Sequence, residues 1–242
     1  MGFYWTYYLM GIVLIPAIAI AAWAQGKVST TYNKYSKIPA KSGITAGQLI
    51  QQLLQVSGLS SSIKLIKVSG ELNDYFDPKK KQIALSGAIY DSCSVAALGV
   101  ACHEFGHALQ WSKNYFPMKI RQVLIPITNI SSALLWPLVI IGLIIGFGST
   151  GNVFVGNILL WIGIGIFALA VLVNLVTLPV EYNASRRATN LLEKTGALDA
   201  EEIVGAKKVL SAAALTYVAA LIVSILNVVR FVLTILLSSR RK

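Results

Sequence analysis

A run of 59 residues, 122–180, contains no charged side chain. A transmembrane helix needs about 20 apolar residues, so this run is long enough for two membrane-crossing helices. Near its middle, residues 148–152 read Gly-Ser-Thr-Gly-Asn, which is typical of a tight turn. We therefore predict a transmembrane hairpin at 122–180, and both of its ends return to the same side of the bilayer.

The composition of the whole chain agrees with a membrane protein. Hydrophobic residues make up 55% of it and charged residues only 13%, about half the charged fraction of a soluble domain. A further uncharged run at 209–229 predicts a C-terminal span that Arg230 interrupts. Residues 1–26 are also uncharged, with Tyr and Trp near both ends as in membrane-interface belts. The alternative there is a cleaved signal peptide, because residues 22–24 (Ala-Trp-Ala) resemble a cleavage site, but the start lacks basic residues, which favours a retained helix.

The segment 27–121 is hydrophilic, with 12 Lys and Arg against five Asp and Glu. A short helix is predicted from Ala46 to Leu59. Residues 62–68 alternate loosely and predict a strand, and 81–86 predict a strand that returns beside it as a hairpin. The turn residues of this hairpin are expected at 73–78.

A long helix, predicted from about Ser92 to Ser112 with Asp91 or Ser92 as its N-cap, carries the only two histidines of the chain. They are His103 and His107, with Glu104 directly after the first. Residues four apart share one helix face, so both imidazoles can bind one zinc ion, and the glutamate can accept a proton from zinc-bound water. The alternative is two core histidines beside a chance glutamate, for which the joint chance of this spacing is of order 10⁻⁴. We therefore predict one zinc ion per chain.

A catalytic zinc takes three protein ligands and keeps a fourth position open for water. Since the chain has no third histidine, the third ligand must be Glu, Asp or Cys. Glu181 is the strongest candidate, because it directly follows the uncharged run and the hairpin returns it to the side of His103. The alternative is an interfacial carboxylate that pairs with Arg186 or Arg187. The competing carboxylates lie in turn or cap sequences that already account for them, namely Asp74, Asp77 and Asp91.

Four blocks of sequence resemble the YugP-like neutral zinc metallopeptidases, a family of bacterial membrane proteases. In order, the blocks are ELNDYFDP at 71–78, the stretch 94–110 ending in CHEFGHALQ, LPVEYNASRRA at 178–188 and KKVLSAAALTYVAA at 207–220. The resemblance covers nearly the whole chain. It implies an active site similar to that of HtpX-type and prenyl-protein proteases, in which a glutamate is the third ligand. On this resemblance His103 and His107 match the histidine ligands, Glu104 the catalytic glutamate and Glu181 the third ligand.

The chain departs from this pattern at one position. Many such zinc proteases place an Asp four residues after the ligand glutamate, where it braces a histidine, but here the residue is Ser185. The partner that orients a metal-bound histidine is therefore open, with Asn183 and Asp91 as candidates. The reaction also needs a donor to its oxyanion, for which Tyr217 and Arg187 are hypotheses. The plainer alternatives are a buried tyrosine and a membrane-surface arginine.

The net charge of +11 does not indicate nucleic-acid binding, because the chain has no basic helix or aromatic-basic patch typical of a nucleic-acid module. Its Lys and Arg flank the apolar runs instead, as expected for the positive-inside rule and for anionic lipid headgroups. By that rule, 27–121 and the active site face the cytoplasm from the plasma membrane. A fourth span would then leave the basic tail 238–242 outside, against the rule, so the side of the C-terminus stays open.

The sequence thus predicts a mainly α membrane protein with about four transmembrane helices and a small α+β, gluzincin-like zinc-protease domain. Its predicted segments are an N-terminal transmembrane helix at 1–26, the hydrophilic protease segment at 27–121, the transmembrane hairpin at 122–180, the third-ligand helix and connector at 181–208, and a C-terminal transmembrane helix with a basic tail at 209–242.

The expected function is that of an integral membrane zinc endopeptidase, with a peptide or a membrane protein as substrate and no expectation for the oligomeric state. A substrate in extended form is expected to add as a strand to 81–86 or 63–68, the alternative being an ordinary hairpin packed on the zinc helix. Two other functions are a non-catalytic scaffold, whose structural zinc would have four protein ligands, and a small transporter, which would need ionisable groups inside its spans.

Overall fold

The computed structural model describes residues 11–12, 14–70, 73–147 and 153–239. Helices make up 75% of it, which confirms the prediction of a mainly α protein. The helices are α1 (Leu14–Tyr35), α2 (Ala46–Val56), α3 (Gly87–Tyr90), α4 (Val95–Ser112), α5 (Phe116–Phe147), α6 (Val153–Thr195) and α7 (Ala200–Ser239). The strands are β1 (Lys64–Val68), β2 (Tyr75–Asp77) and β3 (Gln82–Ser86).

The chain divides into two compact units. The polar unit consists of Ala24–Lys119 and Leu178–Thr216, and the apolar unit of Met1–Trp23, Ile120–Thr177 and Tyr217–Lys242. All ten acidic residues of the sequence belong to the polar unit. The candidate site residues, apart from Tyr217, belong to it as well.

Three helical segments within the described residues are long and apolar enough to cross a membrane: Phe116–Gly142, Trp161–Thr195 and Ala200–Leu233. The second has 35 residues, which at 1.5 Å per residue is about 52 Å, whereas the hydrocarbon core of a bilayer is about 30 Å thick. Only part of this segment can therefore lie in lipid. Of the predicted span at 1–26, residues 14–26 lie in α1, and residues 1–10 and 13 fall outside the described residues. The predicted turn at 148–152 falls outside them as well, so the span and the turn stay predictions.

The helix after the predicted hairpin is not a separate element. The sequence predicted a new polar helix after Glu181 with Gly196 as its C-cap, but α6 continues through Glu181. It ends at Thr195, and Gly196 follows it with φ of +64°. In the sequence, Glu202 three residues after Asp199 predicts a capping box that opens a helix, and the start of α7 confirms it. The Glu202 N–H donates to Asp199 Oδ1 at 2.9 Å, and the Asp199 N–H donates to Glu202 Oε2 at 2.9 Å.

The strands pair differently from the predicted hairpin. The sheet order is β1-β3-β2, with β1 parallel and β2 antiparallel to β3, so the prediction that 62–68 and 81–86 form a hairpin is wrong. The stretch interpreted as a turn contains Tyr75 and Phe76, aromatic residues that favour a strand, and the chain turns later, where Lys81 has φ of +53°. Because β3 is paired on both sides, it offers no edge to a substrate, and β1 and β2 are the edges of the sheet.

The motif helix α4 begins later than predicted. Its N-cap is Ser94, whose side chain accepts a hydrogen bond from the Ala97 N–H at 3.2 Å, so the predicted caps Asp91 and Ser92 are wrong. The reason is that a one-turn helix, α3, precedes it and has Asp91 as its C-cap. Within the polar unit, α4 packs in a single apolar cluster with α2 and β3, which fixes the helix that carries the two histidines.

Candidate metal centre

Helix α4 presents the His-Glu-x-x-His motif from a well-packed part of the polar unit. Twelve of its 18 residues are buried, and many of these are Ala or Gly, which let neighbouring backbones come close. The rings of His103 and His107 meet edge to face, with centroids 4.7 Å apart. This is the arrangement that the four-residue spacing predicts for two side chains on one helix face.

Helix α6 reaches α4 at a glycine within the motif. A Cβ atom added to Gly106 would lie 2.7 Å from the carbonyl oxygen of Ala184, closer than real Cβ atoms come. The absent side chain therefore allows the backbone of α6 to lie against the motif. Three residues before Ala184, Glu181 is 1% exposed and lies within hydrogen-bond distance of His103.

The three predicted ligands converge on one point. Oε2 of Glu181 lies 3.2 Å from Nε2 of His103 and 3.5 Å from Nε2 of His107. A tetrahedral zinc with bonds of about 2.1 Å has ligand atoms about 3.4 Å apart, so both distances suit it. Within the part of the chain that the structure describes, these side chains form the one group of three or more His, Cys, Asp or Glu with ligand atoms this close, all within 4.8 Å. Two imidazoles and a carboxylate leave a fourth tetrahedral position for water.

The electrostatics of the site favour a cation. Burial lowers the pKa of His107, but the hydrogen bond to Glu181 and the charges of Glu104 and Glu181 outweigh it, and the net pKa is raised. Two carboxylates therefore stabilise positive charge between the histidines more than burial opposes it. A divalent metal ion would meet the same potential.

Glu104 stands apart from the ligand group and is partly exposed. Burial raises its pKa above the ordinary value of a glutamate, the positive charges of His103 and His107 lower it, and the carboxylates of Glu181 and Asp74 raise it again, for a net increase. A carboxyl group with a raised pKa is better matched to accepting and returning protons near neutral pH.

The outer nitrogens of both histidines have neutral partners. Ser185 Oγ lies 3.1 Å from Nδ1 of His103, and Gln110 Oε1 lies 3.0 Å from Nδ1 of His107. The serine that replaces the expected Asp thus still contacts a histidine, through a hydroxyl group. Asn183, one of the two predicted partners, contacts Gln110 rather than a histidine. Asp91, the other, forms an ion pair with Lys67, so this prediction is wrong.

Sequence reasoning missed Gln110. The available signal was its spacing, because a residue three positions after His107 lies on the same helix face.

Of the two predicted oxyanion donors, Arg187 lies in the polar unit, where its Nε donates to Asn183 Oδ1 at 2.7 Å. Tyr217 belongs to the apolar unit. Both roles stay hypotheses.

Two of the competing carboxylates have hydrogen-bond partners of their own. Asp74 accepts hydrogen bonds from the backbone N–H of Ser86 at 2.8 Å and from its hydroxyl at 3.1 Å. Asp77 accepts from the N–H groups of Lys79 and Lys80 at 2.8 and 3.1 Å. Neither belongs to the ligand group around Glu181.

Comparison with known proteins agrees with this chemistry. The family described as "Putative neutral zinc metallopeptidase" matches residues 10–236. A protein of Bacillus subtilis (strain 168) named "Putative membrane protease YugP" is 39% identical over 223 residues, which cover 92% of this chain and 94% of the relative. No solved structure gives a significant match. The resemblance seen in the four sequence blocks is confirmed, and so is zinc as the metal of the family.

Proposed function

Because the chain belongs to the family described as "Putative neutral zinc metallopeptidase", we propose that it is an integral membrane zinc endopeptidase. One observation carries the proposal: Glu181 joins His103 and His107 as a ligand group, and Glu104 interacts electrostatically with all three without belonging to that group. A site in which all four side chains were ligands would have no base. This site keeps both a carboxylate for proton transfer and a free coordination position.

Three side chains of the site are metal ligands and the fourth is a base. His103 and His107 would hold the metal through Nε2, and Glu181 would hold it through Oε2. Zinc held by these atoms would supply Lewis-acid chemistry, which activates a scissile carbonyl and lowers the pKa of water towards about 7. Glu104 accepts a proton from the attacking water and passes it to the leaving amine, for which its raised pKa is suited.

The substrate of this site is an extended segment of a peptide or of a membrane protein, and it adds to the outer edge of β2, which pairs with no further strand among the described residues. Phe76 of this strand packs against Trp111 of α4, with ring centroids 6.2 Å apart. Trp111 lies one helical turn after His107, so β2 runs beside the part of α4 that carries the motif. A free strand edge offers backbone hydrogen bonds to any extended peptide.

The active site faces the cytoplasm of a multi-pass protein in the plasma membrane. The support is the excess of Lys and Arg in 27–121, together with the positive-inside rule.

The competing function, a scaffold with a structural zinc, is disfavoured because structural zinc sites are usually closed by four protein ligands. Three such side chains converge here among the described residues.

The test is Glu104→Gln in the purified, detergent-solubilised protein. We expect the variant to retain about one zinc per chain by elemental analysis, while cleavage of a fluorogenic peptide library falls about 10²- to 10⁴-fold. Glu193→Gln is the matched control, because Glu193 forms a half-exposed pair with Lys207. Full cleavage by the Glu104 variant would exclude its role as base. A wild-type protein that binds zinc and cleaves no member of the library would support the scaffold.

A further inference from the structure

Gln110 is a fully buried amide at the centre of a hydrogen-bond chain that ends on a metal-site histidine. Its side chain is 0% exposed. Its Oε1 lies 3.0 Å from Nδ1 of His107, and its Nε2 donates to the carbonyl oxygen of Val180 at 2.8 Å and to Asn183 Oδ1 at 3.0 Å. Arg187 Nε donates to the same Asn183 oxygen at 2.7 Å.

Two groups in this hydrogen-bond chain have a fixed role as donor or acceptor. The backbone carbonyl of Val180 can only accept a hydrogen bond, so the NH₂ group of Gln110 must face it and the amide oxygen must face His107. The guanidinium of Arg187 can only donate, so the oxygen of Asn183 must face it. Both amide orientations are therefore fixed from outside the metal site.

From this directionality we propose that Gln110 is a positioning residue that fixes the tautomer of His107. An amide oxygen can only accept, so Nδ1 of His107 must carry the proton. The lone pair needed for a metal is then left on Nε2, the atom that lies 3.5 Å from Glu181 Oε2. Arg187 and Asn183 hold Gln110 in place and act on the histidine only through it.

The other histidine lacks such a constraint. The partner of His103 is the hydroxyl of Ser185, and a hydroxyl can donate or accept. Ser185 therefore fixes the ring direction of His103 without selecting its tautomer. We therefore predict that the protein fixes the tautomer of His107 but not that of His103.

This inference rests on the proposed function, because it takes Nε2 of His107 as a zinc ligand. The roles of the chain members differ in a testable way. Position 183 needs only an acceptor, so Asn183→Asp preserves both of its contacts, whereas Asn183→Leu removes them. Position 110 needs a donor and an acceptor together, and Gln110→Met provides neither while keeping similar volume.

The experiment measures zinc affinity by competition with a chelator in the full-length protein purified in detergent. We expect Gln110→Met and Asn183→Leu to weaken zinc binding about 10- to 100-fold, the usual cost of losing an orienting partner. Asn183→Asp should stay within about threefold of the wild type, and so should Gln52→Met, which alters an exposed glutamine of α2. Ser185→Ala should cost less than Gln110→Met.

A spectroscopic readout separates positioning from general stability. The chain has only two histidines, so selective ¹⁵N-histidine labelling of protein with a histidine-free purification tag gives two ring systems. In the zinc-loaded wild type, the Nδ1–H of His107 should exchange slowly and resonate downfield, and this signature should survive Asn183→Asp but be lost in Gln110→Met.

Unchanged affinity and an unchanged signal in Gln110→Met would overturn the positioning role while leaving zinc binding intact. Equal losses in Asn183→Asp and Asn183→Leu would also overturn it. A wild type that does not bind zinc through His107 would overturn the proposed function itself.

Discussion

The polar and apolar units place similar apolar side chains in different surroundings. In the polar unit, 24 apolar residues form one buried cluster. Among the described residues of the apolar unit, the buried cluster contains Leu135 and Phe231, with a few partly buried neighbours. The most apolar windows of the three candidate spans are only 6%, 11% and 33% buried inside the protein. Apolar surface on this scale requires a nonaqueous environment, and for helices of this length that environment is lipid.

The charges follow the same division. The apolar unit has no acidic residue, whereas the polar unit has ten. A carboxylate in lipid is costly, but in the polar unit it can be paired with histidines, capped by backbone N–H groups or solvated. The comparison suggests that one unit supplies the membrane anchor and the other supplies the chemistry, and the following substitutions test that division.

The largest effect is expected for Glu181→Ala. Loss of the one carboxylate that contacts both histidines should weaken zinc binding by more than about 100-fold, the upper end of the cost of losing an outer-shell partner. The control in the apolar unit is Asn227→Leu, which removes an amide that bonds to its own helix at Val223. Zinc affinity is measured by chelator competition. Retention of zinc affinity by the Glu181 variant would exclude Glu181 as a ligand, and an equal loss in the Asn227 variant would contradict the division between the units.

The second test places a lysine on each unit. Ile130 in α5 is 66% exposed and Val56 in α2 is 88% exposed. If Ile130 faces lipid, Ile130→Lys should cost about 2.5–3.5 kcal/mol of insertion free energy. Val56→Lys, on a surface that faces water, should change stability by less than about 0.5 kcal/mol. Membrane-inserted fraction and thermal unfolding in nanodiscs are the readouts. Equal effects of the two substitutions would contradict the assignment of different solvents.

The third test adds one methyl group to a glycine of each unit. Gly106→Ala places a carbon 2.7 Å from the Ala184 carbonyl oxygen, so we expect α4 and α6 to separate at a cost of about 1–3 kcal/mol, with weaker zinc binding. Gly165→Ala in the apolar unit meets no atom within 4 Å and should be neutral or slightly stabilising. Unfolding and zinc titration are measured on both. A Gly106 variant that binds zinc normally would mean that the helix contact does not position Glu181.

The smallest effect is expected for the surface of the polar unit. The hydrogen bond from Lys41 lowers the pKa of Asp199 below its usual value, and the two side chains are 2.6 Å apart and exposed to solvent. A lowered carboxyl pKa contributes stability at neutral pH that is lost as the pH falls through that pKa, below about 4. Lys41→Met should therefore lower the melting temperature only slightly at pH 7. The difference should shrink in high salt and towards pH 2. A difference that is independent of pH and salt would point to packing rather than charge.

The features that the sequence predicted well are those with short-range causes. The His103–His107 spacing fixes a shared helix face, the uncharged runs fix the apolar segments, and the Asp199–Glu202 pair caps a helix within four residues. Glu181 could be selected because few acidic residues are available and because it borders an apolar run. In each case the cause lies in neighbouring residues or in composition.

The strand pairing could not be predicted in the same way. Residues 64–68 and 82–86 read equally well as a hairpin or as parallel neighbours, because periodicity gives a strand but not its partner. The third strand, at Tyr75–Asp77, is only three residues long and lies within a sequence rich in turn residues. Its antiparallel pairing with β3 determines the sheet topology, and this pairing depends on tertiary packing rather than on the local sequence.

By itself, the sequence determined that this protein carries a two-histidine metal motif on one helix and has apolar segments suited to a membrane, because helix periodicity and hydropathy are local properties. Only the tertiary structure decided which side chains meet the motif. The absent side chain of Gly106 allows α6 to lie against the motif, and Glu181 contacts the histidine rings. Gln110 contacts the outer nitrogen of His107, and Ser185 contacts that of His103. The Gln110–His107 contact lies within one helix, three residues apart. The other contacts join residues about 70 to 80 positions apart, so no local pattern in the chain specifies them.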